Sequence, residues 1–273
     1  MVNWLKLFQE ISQEIRKEVK PFLGSEKARE VVGRGAGGDA TKYIDTLSED
    51  VVIRMLEAQG ISCILISEEC GTKKICEGGC DYVVLDSIDG TTNATRNIPF
   101  VSTSIAHAKG SSLLDVDVAL VKDISQDLNF TAIKGKGASQ GGKLLKPSSV
   151  DCLEKAIVAV DLSSQETLPE LMNRLLPILT KALKIRILGS TALELCYVAS
   201  GALDAFIEFR GMTRVTDLAA GYLILKEAGG IIVTSNREDL NMPLKADART
   251  AFISASNEGI YKEILSSIKA DRK

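Results

Sequence analysis

The sequence predicts an α+β protein built in alternating α and β layers, with two sheet-containing halves and helices packed between and around them. Two patterns carry that expectation. Between residues 62 and 145, six short β-rich segments are crowded together and separated by Gly, Asp, Asn and Ser clusters, which implies a mostly antiparallel sheet. From about 150 onward, strand-like and helix-like periods alternate instead, which implies an α/β layer. The 273 residues are 45% hydrophobic, enough for a sizeable core.

Taken in order, residues 1–22 place Leu5, Phe8, Ile11, Ile15, Val19 and Phe22 at three- and four-residue intervals among charges, the pattern of an amphipathic helix. The stretch "GRGAGGDA", Gly33 to Ala40, has little side-chain anchoring and reads as a mobile loop suited to act as a lid. "TKYID" follows as a short strand, and 46–59 as a helix with Val51, Val52, Met55 and Leu56 on its apolar side. Strands are expected at 62–66, 81–86, 100–108, 113–122, 128–134 and 138–145. The second half reads as strand 156–161, helix 167–184, strand 185–188, helix 190–200, strand 203–209, helix 215–229, strands 230–234 and 250–255, and helix 257–270. A boundary between the halves, 1–147 and 148–273, falls where the pattern changes.

Charge and composition narrow the function. Thirty-three basic and 36 acidic residues leave a net charge of −3, so there is no broad positive footprint for nucleic acid or an anionic membrane, and an anionic ligand must be held locally. No uncharged apolar run approaches the roughly 18 residues of a membrane span, and there is no signal-peptide core, so the expected location is cytoplasmic. Six cysteines stand at 63, 70, 76, 80, 152 and 196. Cys70, Cys76 and Cys80 are close enough in sequence to suggest a small zinc site or a loop disulfide, but no convincing fourth ligand accompanies them, and free thiols are expected.

Acidic residues recur where the chain leaves regular structure: Asp45 after "TKYI", Glu68 and Glu69 after "SCILIS", Asp86 and Asp89 after "YVVL", and Asp217 opening "DLAAGYLILKEAGG". Each has an ordinary reading, since Asp217 and Asp45 can cap helices and Glu68-Glu69 can be a solvated turn. The run Asp86-x-x-Asp89-Gly90-Thr91-Thr92-Asn93 changes the balance. Its Gly and Thr N–H groups can form an anion nest beside carboxylates that need a cation to offset their repulsion. Cation ligands beside anion donors describe a phosphate site, and an all-oxygen ligand set favours Mg²⁺ or Mn²⁺ over zinc.

"LDSIDGTTN" resembles the "DPIDGTTN" signature of the inositol monophosphatase and fructose-1,6-bisphosphatase superfamily, the lithium-sensitive, magnesium-dependent sugar phosphatases. "YIDTLSED", "ISEE", "GSTALELCYVASGALDAFIE" and "VTDLAAGYLILKEAGG" resemble further family segments in the same order and over nearly the whole chain. Ser87 stands where the family usually has proline, at an expected cost in loop rigidity, and Thr216 where it commonly has tryptophan. With "EFRGMTRVTD", the second departure is similar to the dual-activity inositol-1-phosphatase/fructose-1,6-bisphosphatases of archaea.

The resemblance implies an αβαβα sandwich, a homodimer, two or three Mg²⁺ ions, and hydrolysis of inositol 1-phosphate, fructose 1,6-bisphosphate or both by metal-activated water. It implies a first ion held by Glu68, Asp86 and the Ile88 carbonyl, a second by Asp86, Asp89 and Asp217, and a weaker third at Glu68 with Glu69 nearby. Asp45 paired with Thr91 would orient the water and take its proton. Gly90 and Thr91 N–H groups would bind phosphate, while Ser190, Thr191, Ala192 and Glu208 would bind sugar hydroxyls. Arg210 and Arg214 are read as guanidinium groups at the sugar end, unpartnered unless the substrate brings a second phosphate.

Other readings are weaker. "LLDVDVAL" imitates a haloacid-dehalogenase nucleophile motif, but Asp115 and Asp117 alternate within a continuing strand, and "GASQGGKL" imitates a P-loop but carries Leu144 where Ser or Thr is required. His107 lies mid-strand and reads as structural. A 3′-phosphoadenosine 5′-phosphate phosphatase lacks an aromatic base platform near 187–210. A non-catalytic phosphosugar or metal binder would not require the Asp45 and Thr91 pair.

Overall fold

The computed structural model describes residues 2–163, 168–234 and 236–270. Helix α1 (Trp4–Val19) starts at Asn3, whose side chain accepts the Lys6 N–H at 3.2 Å, and gives way at Pro21. Its buried stripe runs through Leu7, Phe8, Ile11, Ile15 and Val19; Leu7, rather than the expected Leu5, occupies the first buried position. The glycine-rich segment is the turn of a hairpin, β1 (Val31–Arg34) with β2 (Ala40–Lys42), rather than a free loop. "TKYID" is only partly a strand, because α2 (Tyr43–Ala58) begins within it.

The first sheet follows: β3 (Cys63–Ser67), β4 (Gly71–Ile75), β5 (Tyr82–Asp89), then helix α3 (Thr91–Arg96), β6 (Ser102–Ala108), β7 (Val116–Asp123), β8 (Leu128–Ile133), β9 (Ala138–Gln140) and β10 (Lys143–Leu144). Strand β4 and helix α3 had no counterpart among the expected elements. Residues 113–115 form a 3-10 turn ahead of β7, and 138–145 splits at Gly141-Gly142 into a hairpin. The strand order is β10-β9-β8-β7-β6-β5-β3-β4, antiparallel except where β3 runs parallel to β5.

The second sheet uses β11 (Ile157–Val160), helix α4 (Leu168–Leu179), β12 (Lys184–Arg186), helix α5 (Thr191–Ala199), β13 (Ala205–Arg214), helix α6 (Val215–Ala228), β14 (Ile231–Thr234), β15 (Arg249–Ala255) and helix α7 (Glu258–Ala270). Its order is β12-β11-β13-β15-β14, mixed parallel and antiparallel. The expected start of α4 at 167 lies outside the described residues.

Strand alternation sorts the apolar side chains into three layers. Val83 and Leu85 of β5 face α1 and α2, while Val84 faces the other way, toward α5 and α6. Phe206 of β13 meets that central layer from the opposite sheet, while Ala205 and Ile207 face α4 and α7. The result is the αβαβα sandwich the sequence predicts. Among the described residues, no helix is long and apolar enough to cross a membrane.

The decoy motifs are structural. His107 is buried, sits 2.6 Å from Asp117 and stacks on Trp4 with ring centroids 4.3 Å apart. Asp115 caps its own 3-10 turn. All six cysteines are unbridged, with Cys76 and Cys80 exposed between β4 and β5.

Helices α5 and α6, the pair sandwiched by both sheets, pack directly against each other. A Cβ on Gly221 would stand 2.8 Å from Leu195 Cδ1 and 2.9 Å from Leu195 Cβ. Gly221→Val should therefore force the two helices apart and cost about 1–3 kcal/mol, read from urea unfolding. An unchanged midpoint would show that the contact yields without strain.

Candidate active site

In a regular strand, residues three apart face opposite sides. Asp86 and Asp89 of β5 nevertheless line one cleft. The ladder with β6 explains this: Asp86 pairs with Ser104 and Asp89 with Ser102, so a bulge places one extra residue between the aspartates and restores their common direction. The chain then turns at Gly90, with φ of 91°, where a Cβ would lie 3.0 Å from the carbonyl oxygens of Gly189 and Phe100. That turn opens α3, so Gly90, Thr91 and Thr92 line the cleft with helix N-terminal N–H groups. Asn93 anchors the turn through Phe100 O (2.9 Å) and Leu188 O (2.7 Å).

Other helix starts bring further carboxylates. Asp45 and Asp217 occupy the third positions of α2 and α6, and each accepts the backbone N–H that precedes its helix, Lys42 N at 3.0 Å and Arg214 N at 3.4 Å. Each therefore serves as a cap and also faces the cleft. Asp45 Oδ1 lies 2.9 Å from the Thr91 hydroxyl, which also lies 3.1 Å from the Ile88 carbonyl, so a single proton serves one acceptor at a time. Glu68 and Glu69 occupy the β3–β4 turn, where Thr41 donates to Glu69. Ala36 N and Gly37 N of the β1–β2 turn donate to Glu69 O (3.0 Å) and Glu68 O (3.4 Å), seating the hairpin on that turn.

Ser87 supplies a link where a proline would have supplied stiffness. Its hydroxyl accepts from Ser48 at 2.7 Å, joining β5 to α2. Thr216 donates to Asp217 Oδ1 at 2.9 Å. Sequence reasoning missed Glu49, a buried side chain that accepts from the Ser67 hydroxyl and from Cys70 N at 3.3 Å and so holds the Glu68–Glu69 turn from behind. Its signal was present, because four residues separate it from Asp45 on one helix face.

Oxygens of Glu68, Asp86 and Asp217 all lie within 4.8 Å of one another. Burial raises the pKa of each, and their mutual charge adds to the effect at Glu68 and Asp86. Glu68 is pushed up to about 8, first by burial and then by Asp217. Asp86 is raised well above its ordinary value by the same two causes. Asp89 rises to about 7 from burial and Asp217, against the hydrogen bonds it receives. Asp217 is raised by burial although Arg214 opposes it, and Asp45 is raised by burial against the Lys42 N–H and Thr91. Close, buried, oxygen-only carboxylates that resist ionisation fit a hard divalent cation.

At the far end of the cleft the arrangement differs from expectation. Ser190 and Ala192 do not line it; with Thr191 they donate to Asp89, at 2.6 Å from Ser190 Oγ, 2.8 Å from Ala192 N and 3.2 Å from Thr191 N. Glu208 is fully buried and accepts from Arg210 N (2.7 Å) and Nε (2.9 Å). Arg210 and Arg214 both line the cleft, but neither is unpartnered. Arg210 also reaches Asp161 at 2.6 Å, while Arg214 bridges Asp39 and Glu68, the latter at 2.7 Å, so it lies at the carboxylate cluster rather than the sugar end. The β13–β15 ladder breaks between Glu208 and Thr213, and this excursion, with Gly211 at φ 72°, carries Arg210 and Met212 over the cleft. The whole cleft holds about 580 Å³.

Residues 4–270 match the model of the inositol monophosphatase family. A bifunctional NADP phosphatase/NAD kinase of Methanococcus maripaludis is 38% identical over 97% of this chain, which spans about half (49%) of that relative's length. A fructose-1,6-bisphosphatase/inositol-1-monophosphatase of Methanothermobacter thermautotrophicus is 34% identical, with 97% of this chain and 96% of the relative covered. The crystal structure of an inositol monophosphatase–fructose 1,6-bisphosphatase superposes with a TM-score of 0.87 at 30% identity, covering 97% of this chain and 100% of that one.

A carboxyl whose folded pKa is raised binds its proton more tightly when folded, so its contribution favours folding at low pH and is lost as pH rises through the folded pKa. With Glu68 near 8 and Asp89 near 7, the metal-free protein should lose thermal stability between about pH 5 and 8. Added Mg²⁺ should raise the melting temperature more at the upper end of that range than at the lower. Asp86→Asn should stabilise the metal-free protein at the upper end and abolish the Mg²⁺-induced gain. Melting temperatures that ignore both pH and Mg²⁺ would count against a cation site here.

Proposed function

The chain belongs to the inositol monophosphatase family, and we propose on that premise that it is a divalent-cation-dependent phosphomonoester hydrolase acting on inositol 1-phosphate and fructose 1,6-bisphosphate. The observation that carries this reading is the convergence of Glu68, Asp86 and Asp217 beside the Asp45–Thr91 pair. Glu68, Asp86 and the Ile88 carbonyl would hold one ion, and Asp86, Asp89 and Asp217 a second. Asp89 Oδ1 accepts one hydrogen bond in the structure and keeps capacity for a cation. Glu69 would support a weaker third. Mg²⁺, and in its place Mn²⁺, would offset the charge of the incoming phosphate and lower the pKa of a water at the site.

This chain's own groups do the rest. Gly90 and Thr91 N–H groups at the start of α3 bind phosphate oxygens. The Thr91 hydroxyl, shared between Asp45 and Ile88 O, fixes the attacking water, and Asp45 receives its proton. The raised Asp45 pKa suits it to that task. Thr191 and Arg210 contact the leaving group, while Ser190, Ala192 and Glu208 act from behind, by positioning Asp89 and Arg210. Family likeness extends the reading to inhibition by Li⁺, to a homodimer and to the cytoplasm.

A second substrate class, the 2′-phosphate of NADP, is favoured by the cleft rim. Ile187 and Met212, 57% and 51% exposed, stand there as apolar lips that a polyol does not need. The relative that is 38% identical is named an NADP phosphatase.

Phosphate release from inositol 1-phosphate, fructose 1,6-bisphosphate, NADP and 3′-phosphoadenosine 5′-phosphate, with and without chelator, tests the reading. Activity on the first two that disappears with chelator is expected. Binding without release on all four would make the protein a non-catalytic binder. Asp45→Asn should cut turnover by about 100-fold or more while calorimetry finds a non-hydrolysed analogue still bound. An equal loss of binding would move Asp45 into the ligand set.

A further inference from the structure

Among the described residues, four cationic side chains line the cleft, and they differ in what already neutralises them. Arg210 lies between Asp161 and Glu208, and Arg214 between Asp39 and Glu68, so each is outnumbered by carboxylates before any substrate arrives. Lys42 has no ion pair among the described residues but lies at the Asp45 end, beside the reacting phosphate. Arg249, at the start of β15, differs from both. Its Nη1 donates to Met212 O at 3.3 Å and its Nη2 to Gly37 O at 3.2 Å. Both acceptors are neutral, and no carboxylate lies within 4.0 Å of it among the described residues. Its remaining N–H donors form a planar fork, half-buried at the rim where the β1–β2 turn meets the Met212 excursion.

Resting on the phosphomonoesterase reading above, we propose that Arg249, rather than Arg210 or Arg214, recognises a second phosphoryl group carried by the substrate. That group is the distal phosphate of a bisphosphorylated sugar or the diphosphate of a dinucleotide. A phosphate at Arg249 meets a guanidinium with free donors and no carboxylate within ion-pair distance, its charge reaching Asp217 only at longer range, whereas one approaching Arg210 or Arg214 must compete with two carboxylates already in place. Because Arg249 also holds Gly37 O, the group that reads the substrate's outer phosphate also clasps the turn seated on Glu68 and Glu69.

Steady-state kinetics of wild type, Arg249→Met and Arg249→Lys on inositol 1-phosphate, fructose 1,6-bisphosphate and NADP test the assignment. In Arg249→Met, kcat/KM for the substrates with a second phosphoryl group, relative to inositol 1-phosphate, should fall about tenfold or more, mainly through KM. Arg249→Lys keeps the charge without the fork and should recover part of the loss, which also covers the case in which the Met variant does not fold. The bisphosphate and dinucleotide arms show which source the site serves. Equal loss on all three substrates, or an unchanged ratio in both variants, overturns the role of Arg249. So does a wild-type enzyme that hydrolyses inositol 1-phosphate alone. Failure of wild type on every substrate instead overturns the phosphatase reading itself.

Discussion

Crowding several carboxylates into one buried place is the constraint to which the rest of the cleft responds. Glu68, Asp86 and Asp217 repel one another, and burial removes the water that would otherwise screen them. The fold answers with helix N-termini. The starts of α2, α3, α5 and α6 all open on the cleft, so Asp45, Asp89 and Asp217 accept backbone N–H groups there and the positive ends of the helix dipoles face the cluster. Arg214 adds a positive charge against Glu68. A cation would complete a neutralisation that the backbone has begun.

That arrangement also joins the two sheets. Asp89 ends a strand of the first sheet and accepts from Ser102 of β6 there, yet three more of its hydrogen bonds come from Ser190, Thr191 and Ala192 at the start of α5, in the layer shared with the second. Ser190 and Ala192, expected to hold sugar hydroxyls, instead hold a carboxylate. Capping and chemistry thus fall on the same residues.

Much of this was legible in the sequence, and the failures have physical reasons. Layer order follows from hydrophobic period, which alternation in β5 and β13 preserves. Strand β4 escaped because "GTKKI" carries polar side chains on an exposed sheet edge, so it lacks an apolar signature. Helix α3 is too short to show a period. Asp86 and Asp89 were legible because one short run encodes them, and Asp45, Glu68 and Asp217 because each stands at the end of an element within its own resembling segment. Arg249 and Asp161 were invisible, since each acquires its place only when distant strands meet. The arginines at 210 and 214 were legible as cleft residues, but their carboxylate partners were not.

The bulge in β5 has a consequence for which changes the site can accept. Asp86 and Asp89 share a face only because the segment between them is one residue longer than its partner on β6. At the present spacing Ser87 and Ile88 can therefore differ in kind so long as the bulge between the aspartates is kept. At this spacing a regular ladder, without the bulge, would turn one aspartate into the apolar layer behind it. In this stretch the bulged backbone is the constraint, and the side chains within it are secondary to that geometry.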